Sequence, residues 1–480
     1  MCLSVNAEYF PESRNKVIVK NLMNIYKTFI LSYFISWHDY CKINRLIDNK
    51  QTIYRIGCDN MSNFIFHGSD TVELAKKYGT PLYVMSEDFI VDRCREVRED
   101  FLEKYDNTMA VYASKAFLTK EMARIVKREG LGMDVVSGGE LYTAIKVDFP
   151  MDKIVFHGNN KSPDEIEMGV KNNVGRFVVD NIRELDLIEY IASKYDKKVN
   201  VLFRVSPGVD AHTHKYIQTG QVDSKFGIPL NEDTIRIAIK KAMNCKHVEL
   251  RGFHFHIGSQ LHENEGYVLA IKKMVELMKE LKDDIGFITK ELNTGGGYGI
   301  HYKGDENRKN LSFYTDAIMN TLEEECSKYG LYKPFVIIEP GRWIVGEAGI
   351  TLYTIGTIKE IPGVRTYVSV DGGMGDNPRP SLYQAKYEGI IANKADEKLA
   401  NVVTVAGKCC ESGDILIWDL EVPDIESGDI LAVFATGAYN YSMASNYNRN
   451  PRPAVVMISN GEDRLIVKRE SYDDMIRNEI

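Results

Sequence analysis

The sequence has few prolines and tryptophans, with 14 Pro and 3 Trp in 480 residues, and its eight cysteines include no Cys-x-x-Cys pair. The lack of close Cys/His spacing excludes zinc modules and dithiol redox motifs, so we expect mostly reduced cysteines, a cytoplasmic location and no metal. No Lys/Arg cluster offsets the net charge of −8, which argues against a nucleic-acid partner. No uninterrupted apolar run reaches the ~20 residues of a membrane span, so we expect no membrane partner.

The N-terminal region differs from the rest of the chain. Lys20 and Lys27 interrupt its apolar stretch, and no small-residue cleavage site follows. Met61 begins the stretch Met-Ser-Asn-Phe-Ile-Phe-His-Gly (61–68), and after it the chain has the regular sequence pattern of a folded protein to its end. We therefore expect residues 1–60 to be an N-terminal extension that is not part of the native fold.

Short apolar runs rich in β-branched residues alternate with amphipathic segments between about residues 109 and 340. The runs are Met109–Ala113, Met133–Val136, Ile154–Phe156, Arg176–Val179, Val199–Val205, Arg251–His256, Glu291–Asn293 and Phe335–Ile338. Between them lie the helical candidates Thr119–Glu129, Pro163–Lys171, Arg183–Lys194, Glu232–Met243, Gly266–Leu281 and Phe313–Lys328. Eight such units predict an α/β fold with a parallel (β/α)₈ TIM-type barrel rather than an open sheet.

Beyond about residue 345 the pattern changes to short strands separated by turn residues. The candidates are Leu352–Ile358, Thr366–Val370, Val402–Val405, Ile415–Trp418, Ile430–Phe434 and Ala454–Ile458. We predict a barrel domain over residues 86–343 and a C-terminal all-β, Greek-key-like domain over residues 344–480. Residues 61–85, with a short strand at Leu82–Met85, form an N-terminal strand segment that we expect to join the β domain.

Polar residues that follow the strands fall on the face where barrel enzymes build their active sites. Lys115 follows the first strand, where a buried amine would be suited to form a Schiff base, although a single lysine is more often a surface charge. Gly295–Gly297 either cradles a phosphate or is simply a tight turn. Glu339 could pair with a pyridine nitrogen. His254 and His256 share a strand face, and without a third ligand we favour stacking or hydrogen bonding over metal binding.

Several further motifs occur in order along the chain. They are Val-Asp-Ser-Lys-Phe-Gly (222–227), His-Phe-His-Ile-Gly-Ser-Gln (254–260), Arg-Pro-Ser-Leu-Tyr (379–383), Cys-Glu-Ser-Gly-Asp (410–414) and Gly-Ala-Tyr-Asn-Tyr-Ser-Met (437–443). From about residue 61 to its end the chain resembles the fold-III pyridoxal-phosphate-dependent decarboxylases, which have an alanine-racemase-like barrel, and most of all the diaminopimelate decarboxylases among them.

This resemblance implies a cofactor, pyridoxal 5'-phosphate, and a role for each matching residue. Lys115 would hold the cofactor covalently, and Cys410 would be the second catalytic residue, as the proton donor. The other cofactor-binding residues would be His256, Ser259, Gly295, Gly296, Gly297, Glu339, Gly341, Arg342 and Tyr439. The substrate-binding residues would be Arg342, Arg379, Tyr383, Glu411 and Tyr439.

The resemblance also implies a homodimer with shared active sites, because Cys410 and Glu411 reach the site of the partner subunit in this family. One departure from the family pattern is Lys408-Cys409 before Cys410. The other interpretation of Cys410 is a buried structural thiol.

The expected reaction is decarboxylation of meso-2,6-diaminopimelate to L-lysine and carbon dioxide, in lysine biosynthesis. The alternatives are decarboxylation of another basic amino acid (carboxynorspermidine, ornithine, lysine or arginine), a racemase, or a non-catalytic homologue that binds pyridoxal phosphate. Retention of Lys115, Cys410 and Glu339 favours a decarboxylase over the last two.

Overall fold

The computed structural model describes residues 63–208, 224–230, 232–302 and 309–480. The predicted extension over residues 1–60 lies outside the described residues, as do the first two residues of the motif at 222–227. None of the helices within these ranges is both long enough and apolar enough to cross a membrane.

Eight parallel strands close into a barrel, as the sequence predicts. They are Thr108–Ala113, Gly132–Val135, Ile154–Phe156, Arg176–Val179, Val199–Ser206, Val248–His254, Glu291–Asn293 and Phe335–Ile338. Each strand pairs with the next one along the chain, and the eighth pairs with the first through Val336 and Thr108. The ends of the predicted runs are correct to within a few residues, with the largest difference at the start of the sixth strand.

Helices follow the strands around the outside of the barrel. They are Glu87–Val97 before the first strand, then Lys120–Arg128, Gly138–Ile145, Pro163–Lys171, Ile182–Lys194, Glu232–Met243, Glu265–Ile285, Ser312–Tyr329 and the short Arg342–Val345. Side-chain caps fix several of their starts. Ser162 and Glu165, for example, form a capping box at the helix that begins with Pro163. The predicted helices are all present, and Gly138–Ile145 was not anticipated because it is short and begins with two glycines.

The strand side chains alternate between two apolar layers. Val111, Val155, Val178, Leu202 and Ile337 form a cluster of their own inside the barrel. Their strand neighbours Ala110 and Tyr112 belong to the larger core beneath the helices. This period of two places one face of each strand inside the barrel and the other against a helix.

The second domain is built from strands that pair out of chain order. They are Leu82–Ser86, Gly349–Ile361, Arg365–Val370, Gly389–Ile391, Asn401–Ala406, Ile415–Val422, Ile430–Val433, Ala454–Ser459 and Glu462–Val467. The long strand Gly349–Ile361 pairs with three others, among them Leu82–Ser86, which runs antiparallel to it. Leu82–Ser86 also pairs in parallel with Ala454–Ser459, so a segment that precedes the barrel lies in the centre of this sheet.

Smaller elements also occur in the described chain. They are the hairpin Ile65–Phe66 and Ser69–Asp70, and the helices Thr71–Tyr78, Arg379–Tyr383, Asn440–Met443 and Tyr472–Ile476. The strands Gly389–Ile391 and Glu462–Val467 were not predicted. The first has three residues, and the second begins with three charged residues, which hide the apolar pattern.

Candidate active site

Lys115 lies at the mouth of the barrel. It is the middle residue of a single turn, Ser114–Ala116, that directly follows the first strand. Ser114 and Ala116 are buried whereas Lys115 is exposed, so the burial assumed from the sequence is not observed. A side chain at Gly341 would lie 2.8 Å from Cβ of Ala113, so glycine lets the turn after the eighth strand approach Lys115 closely.

Glu339 directly follows the eighth strand and is 7% exposed. Its Oε1 lies 2.7 Å from His157 Nε2 and accepts a hydrogen bond of 2.6 Å from Asn293 Nδ2. Its Oε2 lies 3.3 Å from His254 Nε2. Three strand ends thus direct donors at one buried carboxylate, which is the arrangement that keeps a carboxylate ionised.

The protonation of this cluster follows from burial and hydrogen bonding. Burial alone would raise the pKa of Glu339, but the imidazoles of His157 and His254 hold it well below its usual range. Burial lowers the pKa of His254 to about 3, so its ring is neutral. Among the described residues His254 Nδ1 has no hydrogen-bond partner, which fits a tautomer that carries its proton on Nε2 and donates it to Glu339. Glu339 is therefore a carboxylate anion that is bound by the neutral groups of His254 and Asn293 and by the His157 ring.

Glu339, His157 and His254 also lie close enough together to bind a metal ion. The sequence favoured stacking or hydrogen bonding over metal binding for His254 and His256, and His254 does lie within hydrogen-bond distance of Glu339. The third group of the cluster, His157 after the third strand, was not anticipated. The hydrogen bonds to Glu339 account for the spacing of the three groups.

His256 lies beside the glycine turn that follows the seventh strand. Gly296 N lies 3.4 Å from His256 Nδ1, and Gly295 N donates to Asn293 Oδ1 at 3.0 Å. A Cβ at Gly296 would overlap the carbonyl oxygen of Glu339, and one at Gly297 would overlap that of Gly258. Close backbone packing therefore requires these two glycines, whatever else the turn binds.

Two arginines, Arg342 and Arg379, both contact Tyr302 and Tyr439. Both are at least nine-tenths buried, and Nε of each lacks a hydrogen-bond partner among the described residues. Arg342 Nη2 donates to Ser259 Oγ at 3.0 Å, and Nη1 donates to the hydroxyl of Tyr302. Within the described part of the chain neither guanidinium forms an ion pair with a carboxylate. Two buried cations without an acidic partner form a site for an anionic ligand.

Tyr439 connects these arginines to the turn that carries Lys115. The guanidinium carbons of Arg342 and Arg379 lie 4.6 and 5.3 Å from the centre of its ring. Its backbone N donates to the carbonyl of Ala116 at 2.7 Å, which holds Tyr439 at a φ of +71°, an uncommon value for an aromatic residue. The ring of Tyr383 lies 5.7 Å from the Arg379 guanidinium carbon.

Cys410 and Glu411 are both exposed, and their hydrogen bonds are local. Cys410 N donates to Asn448 Oδ1 at 2.7 Å, and the Glu411 carboxylate accepts from Gly413 N at 3.3 Å. The interpretation of Cys410 as a buried structural thiol is therefore wrong. Neither residue forms a hydrogen bond within the described chain to the groups around Lys115.

Sequence reasoning missed part of the site. Asn293 and Tyr302 were not considered, and Asp134 was taken only as a strand residue. Burial raises the pKa of Asp134 to about 7, while the nearby charges of His157 and Lys115 oppose that rise. The position of Asn293 at a strand end, just before three glycines, was an available signal. Tyr302 lies in a loop and gave none.

Comparison with known proteins places the chain in a family. The pyridoxal-dependent decarboxylases match residues 88–346 through their pyridoxal binding domain. The chain is also 50% identical to the diaminopimelate decarboxylase of Bacillus subtilis over 410 residues, covering 85% of this chain and 93% of that protein. It belongs to the diaminopimelate decarboxylase family. The diaminopimelate decarboxylase of Bacillus methanolicus is 53% identical over 403 residues, which cover 84% of this chain and 93% of that one.

Solved diaminopimelate decarboxylases share the two-domain fold. The crystal structure of the M. jannaschii protein has a TM-score of 0.82 at 39% identity, covering 88% of this chain and 96% of that one. A second crystal structure of that protein is a complex with L-lysine and has the same TM-score and identity, covering 87% and 96%. A lysine/ornithine decarboxylase of Vibrio vulnificus, at 21% identity and a TM-score of 0.69, shares the fold alone, covering 81% and 97%. The resemblance drawn from the sequence motifs is confirmed.

Proposed function

We propose that this chain decarboxylates meso-2,6-diaminopimelate to L-lysine and carbon dioxide with pyridoxal 5'-phosphate as cofactor. The observation that carries the proposal is the pair of buried arginines, Arg342 and Arg379, which have no acidic partner among the described residues. Both contact the ring of Tyr439, whose backbone N donates to Ala116 in the turn that carries Lys115. A substrate with a carboxylate at each end suits such a site.

The residues around Lys115 fit the cofactor. Lys115 would hold it covalently, and His256 would lie against its ring. Ser259, Tyr439, Gly341, Arg342 and the turn Gly295–Gly297 would surround its phosphate. Of the turn's N–H groups, those of Gly295 and Gly296 already face acceptors inside the protein, so Ser259 and Arg342 supply the firmest phosphate contacts. The orphaned Nε of Arg342 adds a donor that an anion would satisfy.

Bound pyridoxal phosphate supplies an electron-withdrawing ring that accepts the electron pair left on the substrate Cα when carbon dioxide departs. Glu339 would pair with the ring nitrogen and favour its protonated form, because His157 and His254 hold the pKa of this carboxyl well below its usual range and keep it ionised. Asn293 and His157 fix the position of the carboxylate through their contacts with Oε1. Lys115 would hold the cofactor, and its amine would also be able to take up and return protons at the substrate amine.

Arg379 and Tyr383 bind the carboxylate at the far end of the substrate, with Arg342 completing the anion site. Arg379 is buried against the rings of Tyr302, Tyr383 and Tyr439, which fix its planar guanidinium. Lysine and ornithine lack the distal carboxylate and would leave this guanidinium buried without a partner, which costs binding energy.

The proposal includes a homodimer with two shared active sites. Cys410 and Glu411 are exposed, and within the described part of the chain they bond to Asn448 and Gly413 rather than to the groups around Lys115. They would reach the partner's site, where the Cys410 thiol gives a proton to the substrate Cα and Glu411 binds the distal amino group. The proposed location is the cytoplasm, in keeping with the free state of all five described cysteines.

The proposed domains keep the boundaries predicted from the sequence. Residues 86–343 are the barrel that binds the cofactor, and residues 344–480 with 61–85 form the β domain. Support comes from the strand at Leu82–Ser86, which pairs with Gly349–Ile361 and Ala454–Ser459.

The test is turnover of purified protein with added pyridoxal phosphate, measured as carbon dioxide and L-lysine released. Meso-diaminopimelate should be consumed at least ~100-fold more efficiently than L-lysine, L-ornithine, L-arginine or carboxynorspermidine, because only it satisfies both ends of the site. Lys115→Ala is the matched inactive control. Preferred turnover of another basic amino acid would contradict the proposed substrate, and racemisation without carbon dioxide release would contradict the reaction.

A further inference from the structure

Asp414 closes the turn that carries Cys410 and Glu411. Its side chain is buried, with the whole residue 2% exposed, yet it forms no ion pair with any described lysine or arginine. Its Oδ2 accepts from Cys409 N at 2.8 Å, and its own N donates to the carbonyl of Glu411 at 3.0 Å. Gly407 N donates to the carbonyl of Asp414 at 2.9 Å, so the turn is held on both sides.

The same carboxylate also holds a second loop. Asp414 Oδ1 accepts a hydrogen bond of 2.6 Å from Met374 N. A Cβ at Gly373 or at Gly407 would overlap the carboxylate, so glycine on each loop is what lets both approach it. Lys408 N, which donates to the carbonyl of Gly372 at 2.8 Å, adds a direct bond between the two loops.

The second loop leads directly to the substrate-binding arginine. The carbonyl of Gly373 accepts from the N atoms of Asp376 and Asn377, and the helix Arg379–Tyr383 begins two residues later. Ser381, on that helix, donates from Oγ to the carbonyl of Gly413 at 2.8 Å. The helix of Arg379 and the turn of Cys410 are therefore parts of one hydrogen-bonded unit centred on Asp414.

We propose that Asp414 is a positioning residue that sets both active sites of the dimer at once. This inference rests on the proposed function, in which Arg379 serves the site of its own subunit while Cys410 and Glu411 serve the partner's site. One carboxylate then fixes the substrate-binding arginine of one site and the proton donor of the other. Because the two loops are bonded to each other, a shift of one loop also shifts the other, and a residue moves in each of the two active sites. Each chain therefore couples the two active sites mechanically.

Mixed dimers separate the two effects. We would co-express a Lys115→Ala chain and a Cys410→Ala chain with different affinity tags and purify the mixed dimer. Its one intact site uses Lys115 and Arg379 from the second chain and Cys410 from the first, so it should keep about half of the wild-type kcat per dimer. Asp414→Asn is then added to one chain or to the other.

Each placement has a distinct expected result. In the chain that donates Cys410, Asp414→Asn should lower kcat about tenfold, because a displaced proton donor slows the chemical step. In the chain that supplies Arg379, it should raise KM about fivefold and leave kcat within about twofold, because the substrate is bound less well. Alkylation of Cys410 by iodoacetamide, followed by mass spectrometry, should change rate when Asp414→Asn is in the Lys115→Ala chain, which is the one that keeps Cys410.

Asp429→Asn is the matched control. Asp429 is also a buried carboxylate of the β domain that accepts from a loop N–H, that of Glu426 at 2.8 Å, but its other bonds are to Asn393 and Lys394. It should change neither kcat nor KM in either chain. Ser381→Ala removes a single hydrogen bond of the unit and is the milder second variant, to be used if Asp414→Asn fails to fold. It should shift kcat and KM in the same directions as Asp414→Asn, by smaller factors.

The outcomes are distinguishable. Mixed dimers that are inactive without any change at Asp414 would overturn the shared-site dimer and this inference with it. If the mixed dimers are active but Asp414→Asn has an effect from only one of the two chains, the inference alone is overturned. The same holds if Asp414→Asn changes kcat and KM equally from either chain and also lowers the melting temperature.

Discussion

His157 Nε2 and Glu339 Oε1 lie 2.7 Å apart, and both side chains are almost fully buried. His157 comes from the end of the third barrel strand and Glu339 from the end of the eighth, so the closed barrel is what brings them together. Asn293 and His254 are also within hydrogen-bond distance of this carboxylate, which is ionised and is the group that we propose to face the cofactor ring.

Replacing Glu339 by Gln should lower kcat by about 100-fold or more, because an amide cannot hold a proton on the ring nitrogen. The visible absorbance of bound pyridoxal phosphate should persist, since Lys115 still holds it. Carbon dioxide release and absorbance spectra of the same preparation check both parts. Wild-type kcat in Glu339→Gln would contradict the assigned role.

Replacing Arg379 by Lys should raise KM for meso-diaminopimelate by about 10–100-fold, because an ammonium cannot match the planar, bidentate contact with a carboxylate. The melting temperature should change little, since the charge is kept. Arg365→Lys is the control: Arg365 lies in the same domain but pairs with Asp419 at the surface. An unchanged KM in Arg379→Lys would mean that the distal carboxylate binds elsewhere.

His254 should make the stability of the protein depend on pH. Burial lowers its pKa from 6.5 to about 3 in the folded protein. As the pH falls below 6.5 the unfolded chain takes up a proton that the folded chain does not, so the free energy of unfolding falls between about pH 6.5 and 3. His254→Gln should remove about 2 kcal/mol of the part of that fall between about pH 6.5 and 5. Urea unfolding at a series of pH values checks this, and curves that stay parallel below pH 6.5 would contradict it.

Glu291→Gln should destabilise the protein without changing substrate binding. Glu291 begins the seventh strand, is 2% exposed, and accepts from Arg176 Nε at 2.5 Å and from Arg251 Nε at 3.0 Å. Loss of its charge leaves two guanidinium groups without their shared partner, at a cost of about 2–3 kcal/mol in the free energy of unfolding. Urea denaturation together with KM measurement tests the expectation, and a tenfold rise in KM would place Glu291 in the site instead.

The barrel was predictable because its signal is local. Apolar β-branched runs such as Val199–Ser206 alternate with amphipathic helices, and each run or helix can be recognised from its own residues alone. Gly389–Ile391 and Glu462–Val467 escaped prediction because a short or charged strand is fixed by its neighbours in the sheet rather than by its own pattern.

The site was only partly predictable. The order and spacing of the motifs predicted Lys115 and Glu339 as cofactor-binding residues and Arg379 as a substrate-binding residue, and these roles stay predictions. Which side chains would hold Glu339 was not in the sequence: His157 is 182 residues away from it along the chain, and Asn293 is 46. Their contact depends on closure of the barrel, which no local pattern encodes.

The sequence by itself determined the repeated strand-helix pattern and the family, because both depend on residue types at short spacing. The tertiary structure alone decided which donors keep Glu339 ionised, that Arg342 and Arg379 are buried without an acidic partner among the described residues, and that Cys410 is exposed. These properties depend on burial and on distances between strand ends, which exist only once the chain has folded.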